Sequence, residues 1–281
     1  MRDVDPELWL TACRAAADSA SAALDGLVLR ADREQTLGRG EGGDETVAVD
    51  RAAENAVVAE LERLHAAGHS FTLVSEELGI REFGQSDVHV VVDPVDGSAN
   101  AKRAIPFYSL SIAVASGPTL GDVEVGYVKD FSSGEEWTAI RGDGARLNGE
   151  PLHERPKEEI EILSLEATLT SLVADHASAF VSVADRLRIM GSCALSLCHF
   201  AAGRVDAVCS LRPIRCVDIA AAQLLAVEQD LAIQLTDGLP LEDAPLDLAH
   251  RSRVVAAARS DSSDHLARTL RRVAPASRSD A

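Results

Sequence analysis

The sequence has little positive charge. It carries 27 Lys and Arg residues against 45 Asp and Glu, a net charge of −18, and its only lysines are Lys102, Lys129 and Lys157. A basic footprint for nucleic acid is therefore missing, and an acidic chain is also repelled by anionic membranes. Two explanations of the acidic surface remain open. One is a high-salt cytoplasm that screens repulsion between surface charges, and the other is the ordinary composition of a high-GC organism.

Cysteines are few, and long apolar runs are missing. The five cysteines are odd in number and include no C-x-x-C pair, so neither a disulfide framework nor a zinc site is indicated. We expect free thiols that pack as small hydrophobic groups. No stretch approaches about 18 uninterrupted apolar residues, so no membrane-spanning helix is predicted. The start, Met1–Asp5, is acidic with no apolar run behind it, unlike a signal peptide. We expect a cytoplasmic protein.

Length and apolar content favour a folded chain with a sizeable core. A chain of 281 residues with 46% hydrophobic residues suffices for one large domain or two small domains that share an interface. The composition shifts near Pro151–Pro156, where we place a boundary. The prediction is an N-terminal α+β half over residues 1–150 and a C-terminal α/β half over residues 151–281.

Helical and strand patterns are mixed along the chain. Apolar residues at helical spacing predict helices over 5–31 and 48–67, and the Gly-rich polar segment 38–44 between them is typical of a mobile loop. Further helices are predicted over 168–177, 192–202, 218–228 and 262–273. Strands are predicted over 70–75, 88–92, 109–115, 123–129, 135–140, 161–165, 186–190, 206–210 and 232–235. The mixture indicates an α/β or α+β layered sandwich.

The most informative stretch is residues 93–98, Asp-Pro-Val-Asp-Gly-Ser, which follows the Val-rich strand. In a regular strand, side chains three residues apart face opposite sides, but Pro94 and a turn at Gly97 can bring both carboxylates to one side. The N–H groups of Gly97 and Ser98 are expected at a helix N-terminus, which favours anions. Metal ions that bridge carboxylates to a phosphate explain this combination. Taken alone, the motif fits a tight turn with an Asp cap equally well.

Other acidic residues stand at the ends of predicted elements. Glu76 and Glu77 directly follow the strand over 70–75, Asp50 lies near the start of a helix, and Asp218 opens another. Each also has an ordinary explanation. The two glutamates fit an exposed acidic loop, Asp50 a first-turn carboxylate favoured by the helix dipole, and Asp218 an N-cap.

Taken in order, these motifs resemble the inositol monophosphatase superfamily of metal-dependent phosphatases. The resemblance rests on Glu76-Glu77, on the run Asp-Pro-Val-Asp-Gly-Ser-Ala-Asn at 93–100, and on Asp218-Ile-Ala-Ala. Segments 126–127, 142–149, 190–195 and 202–207 are also similar, and the resemblance covers roughly residues 40–235. It implies a layered αβαβα sandwich with the active site between two halves, and a homodimer.

The resemblance also implies roles for individual residues. It implies the following oxygen ligands for Mg²⁺, in a site of two or three ions with Mn²⁺ as a substitute: Glu76, Asp93, Asp96, Asp218 and the backbone carbonyl of Val95. Glu76, with Asp50 and the Ser98 hydroxyl, is expected to orient and deprotonate the attacking water. The amides of Gly97 and Ser98 are expected to hold the phosphoryl oxygens.

The expected substrate is a small phosphorylated sugar or polyol, and its contacts are implied at Asp96, Gly191, Ser192, Cys193, Arg212 and Arg215. Leu211 stands where inositol-preferring members place a Glu, which weakens the case for inositol phosphate as sole substrate. The two arginines are natural partners for a second phosphate, or else surface residues that balance an acidic chain.

Segment 211–221 is similar to the archaeal branch of the family, whose members act on fructose 1,6-bisphosphate and on inositol 1-phosphate. A fructose-1,6-bisphosphatase with inositol-1-phosphatase activity is therefore the expected function. Alternatives within the enzymes are a 3′-phosphoadenosine 5′-phosphate phosphatase and a histidinol-phosphate phosphatase. A third alternative is a non-catalytic relative that senses metal or phosphate.

Overall fold

The computed structural model describes residues 4–41 and 45–272. Its helices are α1 (Pro6–Asp25), α2 (Arg30–Arg33), α3 (Ala48–Ala66), α4 (Ser98–Ala101), α5 (Thr170–Phe180), α6 (Cys193–Ala201), α7 (Ala220–Glu228) and α8 (Ser260–Arg272). Its strands are β1 (Thr36–Arg39), β2 (Glu45–Val47), β3 (Phe71–Ser75), β4 (Gly79–Phe83), β5 (His89–Asp96), β6 (Ser109–Ala115), β7 (Val123–Asp130), β8 (Glu136–Ile140), β9 (Gly144–Leu147), β10 (Glu150–Pro151), β11 (Ile162–Glu166), β12 (Arg186–Arg188), β13 (Ala207–Ser210), β14 (Ala232–Leu235) and β15 (Val254–Ala257).

Two large sheets organise the chain. The first has eight strands in the order β10-β9-β8-β7-β6-β5-β3-β4, and its pairs are antiparallel except for the parallel pair β3 and β5. The second has five strands in the order β12-β11-β13-β15-β14, with β11 parallel to both neighbours. Because β3 and β5 run parallel side by side, their carboxyl ends lie at the same edge of the sheet.

The helices form three layers around these sheets. Helices α1 and α3 pack on the outer face of the first sheet, where Trp9 meets Phe71 edge to face at 5.7 Å between ring centroids. Helices α6 and α7 lie between the two sheets, and α5 and α8 cover the far side of the second. Most residues of α7 are buried, as expected of a helix covered on all sides. The predicted αβαβα sandwich is therefore confirmed.

A glycine sets the close approach between the first sheet and α7. A Cβ atom added to Gly126 of β7 would lie 2.4 Å from the carbonyl oxygen of Ala221, well inside van der Waals contact. The backbone of α7 therefore rests directly on the strand. This contact fixes the distance between β7 and α7. Asp218 lies in the segment just before that helix.

Several predicted elements need correction. The first helix ends at Asp25 rather than at 31, because Gly26 caps it and the short helix α2 follows. The segment predicted as a loop over 38–44 belongs in part to an antiparallel hairpin of β1 and β2, and residues 42–44 lie outside the described residues. Strand β15 was not predicted, although it lies between β13 and β14.

The remaining expectations concern the two halves, the cysteines and the membrane. The first sheet ends at Pro151 and the second begins at Ile162, while the division into halves at residue 150 stays a prediction. All five cysteines are buried, as expected. Over the ranges that the structure describes, no helix is long and apolar enough to cross a membrane.

Candidate metal centre

A bulge in β5 places the two aspartates of the central motif. The strand pairs with β6 through Asp93 opposite Ser111 and again through Asp96 opposite Ser109, so β5 carries one extra residue between these pairs. Pro94 lies in the bulge, where its missing N–H costs no ladder hydrogen bond. The strand thus runs on to Asp96 instead of ending before Asp93, and the bulge rather than a strand end resets the alternation of side chains.

Three carboxylates from distant parts of the chain meet beside this bulge. Glu76 follows β3, Asp93 lies in β5, and Asp218 ends the short 3-10 turn Cys216–Asp218. One oxygen from each lies within 4.8 Å of the others. Asp218 was predicted to open α7, but it stands before the helix, where its Oδ2 accepts a hydrogen bond from the N–H of Arg215 at 2.8 Å.

Asp96 joins the first sheet to the second half of the chain. Its Oδ2 accepts hydrogen bonds from the Ser192 hydroxyl and from the N–H of Ala194, both at 2.6 Å. Ser192 is the N-cap of α6, Gly191 before it has a φ of +91°, and Cys193 is buried at the start of the helix. The predicted substrate residues 191–193 therefore lie directly against a predicted metal ligand.

Asp50 and Ser98 lie on the other side of the bulge. Asp50 is buried in the first turn of α3, and its Oδ2 accepts a hydrogen bond from the N–H of Val47 at 3.2 Å. Its Oδ1 is buried without a hydrogen-bond partner among the described residues. The Ser98 hydroxyl donates to the carbonyl of Val95 at 2.9 Å. Burial raises the pKa of Asp50 to about 6, and the neighbouring Ser98 opposes the rise.

Gly97 begins α4 in a conformation that favours glycine. Its φ is +95°, and an added Cβ would lie 3.0 Å from the carbonyl oxygens of both Phe107 and Gly191. The peptide before Ser98 is therefore held tightly at the end of the bulge. Helix α4 is a single turn of four residues. Its start at Ser98 agrees with the helix N-terminus expected at Gly97 and Ser98.

The carboxylates of the cluster perturb one another. Burial raises the pKa of Glu76 to about 8, which Arg215 opposes and Asp218 reinforces. Burial likewise raises the pKa of Asp96 to about 7, against hydrogen bonding by Ser192. The pKa of Asp93 is raised well above its usual value by burial and then by Glu76 and Asp96. Burial therefore disfavours the ionised form of each carboxylate, and positive charge beside the cluster favours it.

The two arginines near Asp218 lie in different environments. Arg215 is buried, its Nη2 donates to Glu76 Oε1, and the same nitrogen lies 3.7 Å from Asp218 Oδ1. Arg212 is exposed in the turn after β13. From the sequence, the two arginines were expected either to contact a second phosphate or to be surface residues. The structure places Arg215 inside the carboxylate cluster and Arg212 at the surface.

Three further carboxylates near the cluster are buried, and only Glu77 among them was named from the sequence. Glu54 is buried one helical turn after Asp50, and its Oε1 accepts a hydrogen bond from the Ser75 hydroxyl at 2.6 Å. Glu77 accepts a hydrogen bond from the Thr46 hydroxyl. Glu166 is buried at the end of β11. Glu54 also had a signal in the sequence, since its spacing of four residues from Asp50 places both on one face of α3, whereas Glu166 had none.

Comparison with known proteins adds to this geometry. Residues 5–274 match the pattern of the inositol monophosphatase family. This chain belongs to that family. A fructose-1,6-bisphosphatase/inositol-1-monophosphatase of Methanothermobacter thermautotrophicus is 33% identical over 281 residues, which cover 96% of this chain and 99% of that protein. The Nus factor SuhB of Escherichia coli is 31% identical over 232 residues, covering 80% and 84%.

A solved structure shows the same fold. The MJ0109 gene product, described as an inositol monophosphatase-fructose 1,6-bisphosphatase, superposes with a TM-score of 0.81 at 26% identity, covering 93% of this chain and 99% of that one. The inositol monophosphatase of Anabaena superposes with a TM-score of 0.72 at 25% identity, covering 96% and 97%. The chain is therefore a phosphatase of this family with an acidic cluster suited to metal ions.

Proposed function

We propose that this protein is a Mg²⁺-dependent phosphomonoester hydrolase of small sugar and polyol phosphates. Its main substrate is fructose 1,6-bisphosphate, with overlapping activity on inositol 1-phosphate, and it works as a cytoplasmic homodimer in gluconeogenesis. The observation that carries the proposal is the triad of Glu76, Asp93 and Asp218, with one oxygen of each within 4.8 Å of the others. The archaeal relatives named for both substrates support it.

The residues of the cluster fit Mg²⁺. They offer hard carboxylate oxygens, the ligands that this ion prefers, and leave positions for water and phosphate oxygens. Burial raises the pKa values of Glu76 and Asp96, and a bound cation would favour their ionised forms, which supports the proposal. We assign Glu76, Asp93 and Asp218 as ligands, with Asp96 and the carbonyl of Val95 beside them. That carbonyl accepts one hydrogen bond from Ser98 and keeps a second lone pair.

The side chains around the ions divide the work of hydrolysis. Bound Mg²⁺ supplies positive charge that polarises the phosphoryl group and makes a nearby water more acidic. Asp50, with a pKa of about 6, is ionised at neutral pH and can accept the proton of the attacking water. Ser98 and Glu76 orient that water, while the N–H groups of Gly97 and Ser98 hold the phosphoryl oxygens. The water oxygen would bond to phosphorus as the bond from phosphorus to the ester oxygen breaks, and the departing alkoxide would take a proton from solvent. Inorganic phosphate is then released directly, with no covalent enzyme intermediate.

The preference for a bisphosphate rests on the residues around Asp218. Leu211 is fully buried in the core of the second sheet, so that position offers no acidic group to the hydroxyls of a polyol ring. Arg212 is exposed six residues before Asp218 and can meet a second phosphate with its planar guanidinium. Arg215 instead balances charge within the cluster.

The test is phosphate release with Mg²⁺, measured side by side on fructose 1,6-bisphosphate and inositol 1-phosphate in low and high KCl. Faster turnover of the bisphosphate supports the proposal. Turnover of inositol 1-phosphate alone would contradict the assignment of substrate. Turnover only of 3′-phosphoadenosine 5′-phosphate or histidinol phosphate would replace that assignment, and inactivity on every phosphate ester would favour a sensor.

A further inference from the structure

A carboxylate of the second sheet is buried close to the metal centre. Glu166 ends β11 with 1% of its surface exposed. Its Oε1 accepts hydrogen bonds from the hydroxyls of Ser164 at 2.9 Å and Ser196 at 2.7 Å. Its Oε2 accepts one from the N–H of Gly191 at 2.9 Å. Burying a carboxylate costs free energy that an apolar side chain would not, so these hydrogen bonds offset a real penalty.

The turn that Glu166 holds is fixed from its other side as well. The Nδ2 of Asn100 donates to the carbonyls of Met190 at 2.7 Å and Phe107 at 2.8 Å. The turn over residues 190–192 is therefore held by two hydrogen bonds, one from the N–H of Gly191 to Glu166 and one from Asn100 to the carbonyl of Met190. Gly191 adopts φ +91° between them, and an added Cβ would lie 2.9 Å from Asn100 Nδ2.

The same turn holds Asp96. Ser192 and Ala194 both donate to Asp96 Oδ2, and the Ser192 hydroxyl also accepts the N–H of Leu195 at 3.2 Å. With two donors on Oδ2, the carboxyl cannot rotate without breaking both hydrogen bonds, and neither of these bonds uses Oδ1. Movement of the turn would therefore rotate the carboxyl of Asp96.

We propose that Glu166 is a positioning residue of the metal centre, which fixes the turn over 190–192 so that Ser192 and Ala194 orient the carboxylate of Asp96. The coupling runs from Glu166 through the N–H of Gly191 to Asp96. The coupling between Glu166 and Asp96 rests on the hydrogen bonds described above. Only the effect of this coupling on Mg²⁺ binding rests on the proposed function. Glu166 itself touches neither metal nor substrate.

The test replaces Glu166 by Met, which fills similar space but accepts none of the three hydrogen bonds. Glu166→Ala gives the same comparison if Met is too long for the site. The matched control is Asp206→Leu. Asp206 is also a buried carboxylate of this half, and it accepts N–H groups of Lys157, Glu161 and Ile162.

Two readouts are measured on the full chain. Hydrogen–deuterium exchange without Mg²⁺ should be faster over residues 190–194 in Glu166→Met, and unchanged there in Asp206→Leu. The dissociation constant of Mg²⁺, measured by calorimetry, should rise by roughly 10-fold in Glu166→Met and stay unchanged in Asp206→Leu. This is the smallest effect typical of residues that hold a metal ligand in place. Glu166→Gln should stay near wild type, because Oε1 can accept from Gly191 while the serine hydroxyls rotate to accept from Nε2.

The outcomes separate this inference from the proposed function. Unchanged exchange over 190–194 in Glu166→Met, or an equal effect of Asp206→Leu, overturns the inference. So does wild-type Mg²⁺ affinity in a folded Glu166→Met variant. A wild-type protein that binds no Mg²⁺ overturns the proposed function instead, and the exchange measurement still decides whether Glu166 holds the turn.

Discussion

The guanidinium group of Arg215 donates a hydrogen bond to the carboxylate of Glu76 inside the acidic cluster. Both side chains are largely buried, with 7% and 14% of their surfaces exposed, and the same nitrogen lies 3.7 Å from Asp218 Oδ1. A positive charge of the protein itself thus sits among the carboxylates that we assign to the metal. It lowers the pKa of Glu76 against the larger effect of burial.

Replacing Arg215 by Gln should destabilise the protein more without metal than with it. Breaking a buried ion pair costs about 3–5 kcal/mol, because one charge is left without compensation. We expect this cost in the metal-free protein above about pH 8, where Glu76 is ionised. Mg²⁺ can supply that compensation, so we expect a smaller loss in its presence. The measurement is the melting temperature of both proteins in chelator and in Mg²⁺.

The control for this variant is Arg212→Gln, three residues away and exposed. Surface substitutions of this kind change stability by only about 0.5 kcal/mol or less. Equal losses for Arg215→Gln in chelator and in Mg²⁺ would show that its charge does not serve the cluster. Arg212→Gln should instead raise KM for the bisphosphate and leave KM for inositol 1-phosphate unchanged.

The metal-free protein should melt below the Mg²⁺ form. Clustered carboxylates repel one another, and a ligand that binds only the folded state stabilises it. At a free concentration of 100 times the dissociation constant the gain is about 2.7 kcal/mol. Differential scanning calorimetry in chelator and in Mg²⁺ measures it, with KCl at equal ionic strength as a control for screening. Equal melting temperatures in chelator and Mg²⁺ would count against the site.

Stability of the metal-free protein should fall as the pH rises through the neutral range. The pKa values of Glu76 and Asp96 are raised by burial to about 8 and about 7, from ordinary values of 4.5 and 3.8. The unfolded chain therefore releases these protons at lower pH than the folded chain does. Their stabilising contribution is complete below the ordinary values and is lost as the pH rises through the raised ones.

The experiment is a series of melting curves in chelator and in saturating Mg²⁺ between about pH 5.5 and 8.5, where these two groups titrate in the folded state. In chelator the melting temperature should decline across this range. In Mg²⁺ the decline should shrink or reverse, because the ligands must be ionised to bind metal. A melting temperature in chelator that does not change with pH would mean that these carboxyls are already ionised across this range in the folded protein.

Replacing Asp96 by Asn should remove turnover while the fold is kept. The amide oxygen of Asn can still accept hydrogen bonds from Ser192 and Ala194, but the negative charge is lost. We expect turnover to fall by more than about 100-fold, since residues behind the ligands already cost 10–100-fold. Asp143→Asn, at an exposed turn, is the control. A folded Asp96→Asn variant with turnover within tenfold of wild type would remove Asp96 from the ligand set.

Much of the architecture could be predicted where local patterns determine it. Helix α3 was predicted over 48–67 and runs over Ala48–Ala66, because its apolar spacing is regular. Strand β15 was missed, because four apolar residues can belong to a strand or a helix. Its partners Ala207–Cys209 lie far away in the sequence, so local pattern alone could not assign it.

The acidic residues of the candidate site could be predicted from local motifs, but their arrangement in space could not. The motif around Asp93 and Asp96 identified the acidic residues, and Pro94 indicated that the strand is irregular there. The effect of that irregularity depends on pairing with Ser109 and Ser111, which no local pattern reveals. Likewise, Glu166 reaches Asp96 only through contacts between residues that are distant in sequence.

The late position of Asp218 has a consequence for the growing chain. Glu76 and Asp93 belong to the first sheet, whereas Asp218 follows β13 of the second. A nascent chain that has completed only the first sheet holds two acidic groups of the triad but lacks the third. Since domains generally fold as units during synthesis, we expect the three carboxylates to meet, and to be able to bind a metal ion together, only after Asp218 has emerged from the ribosome.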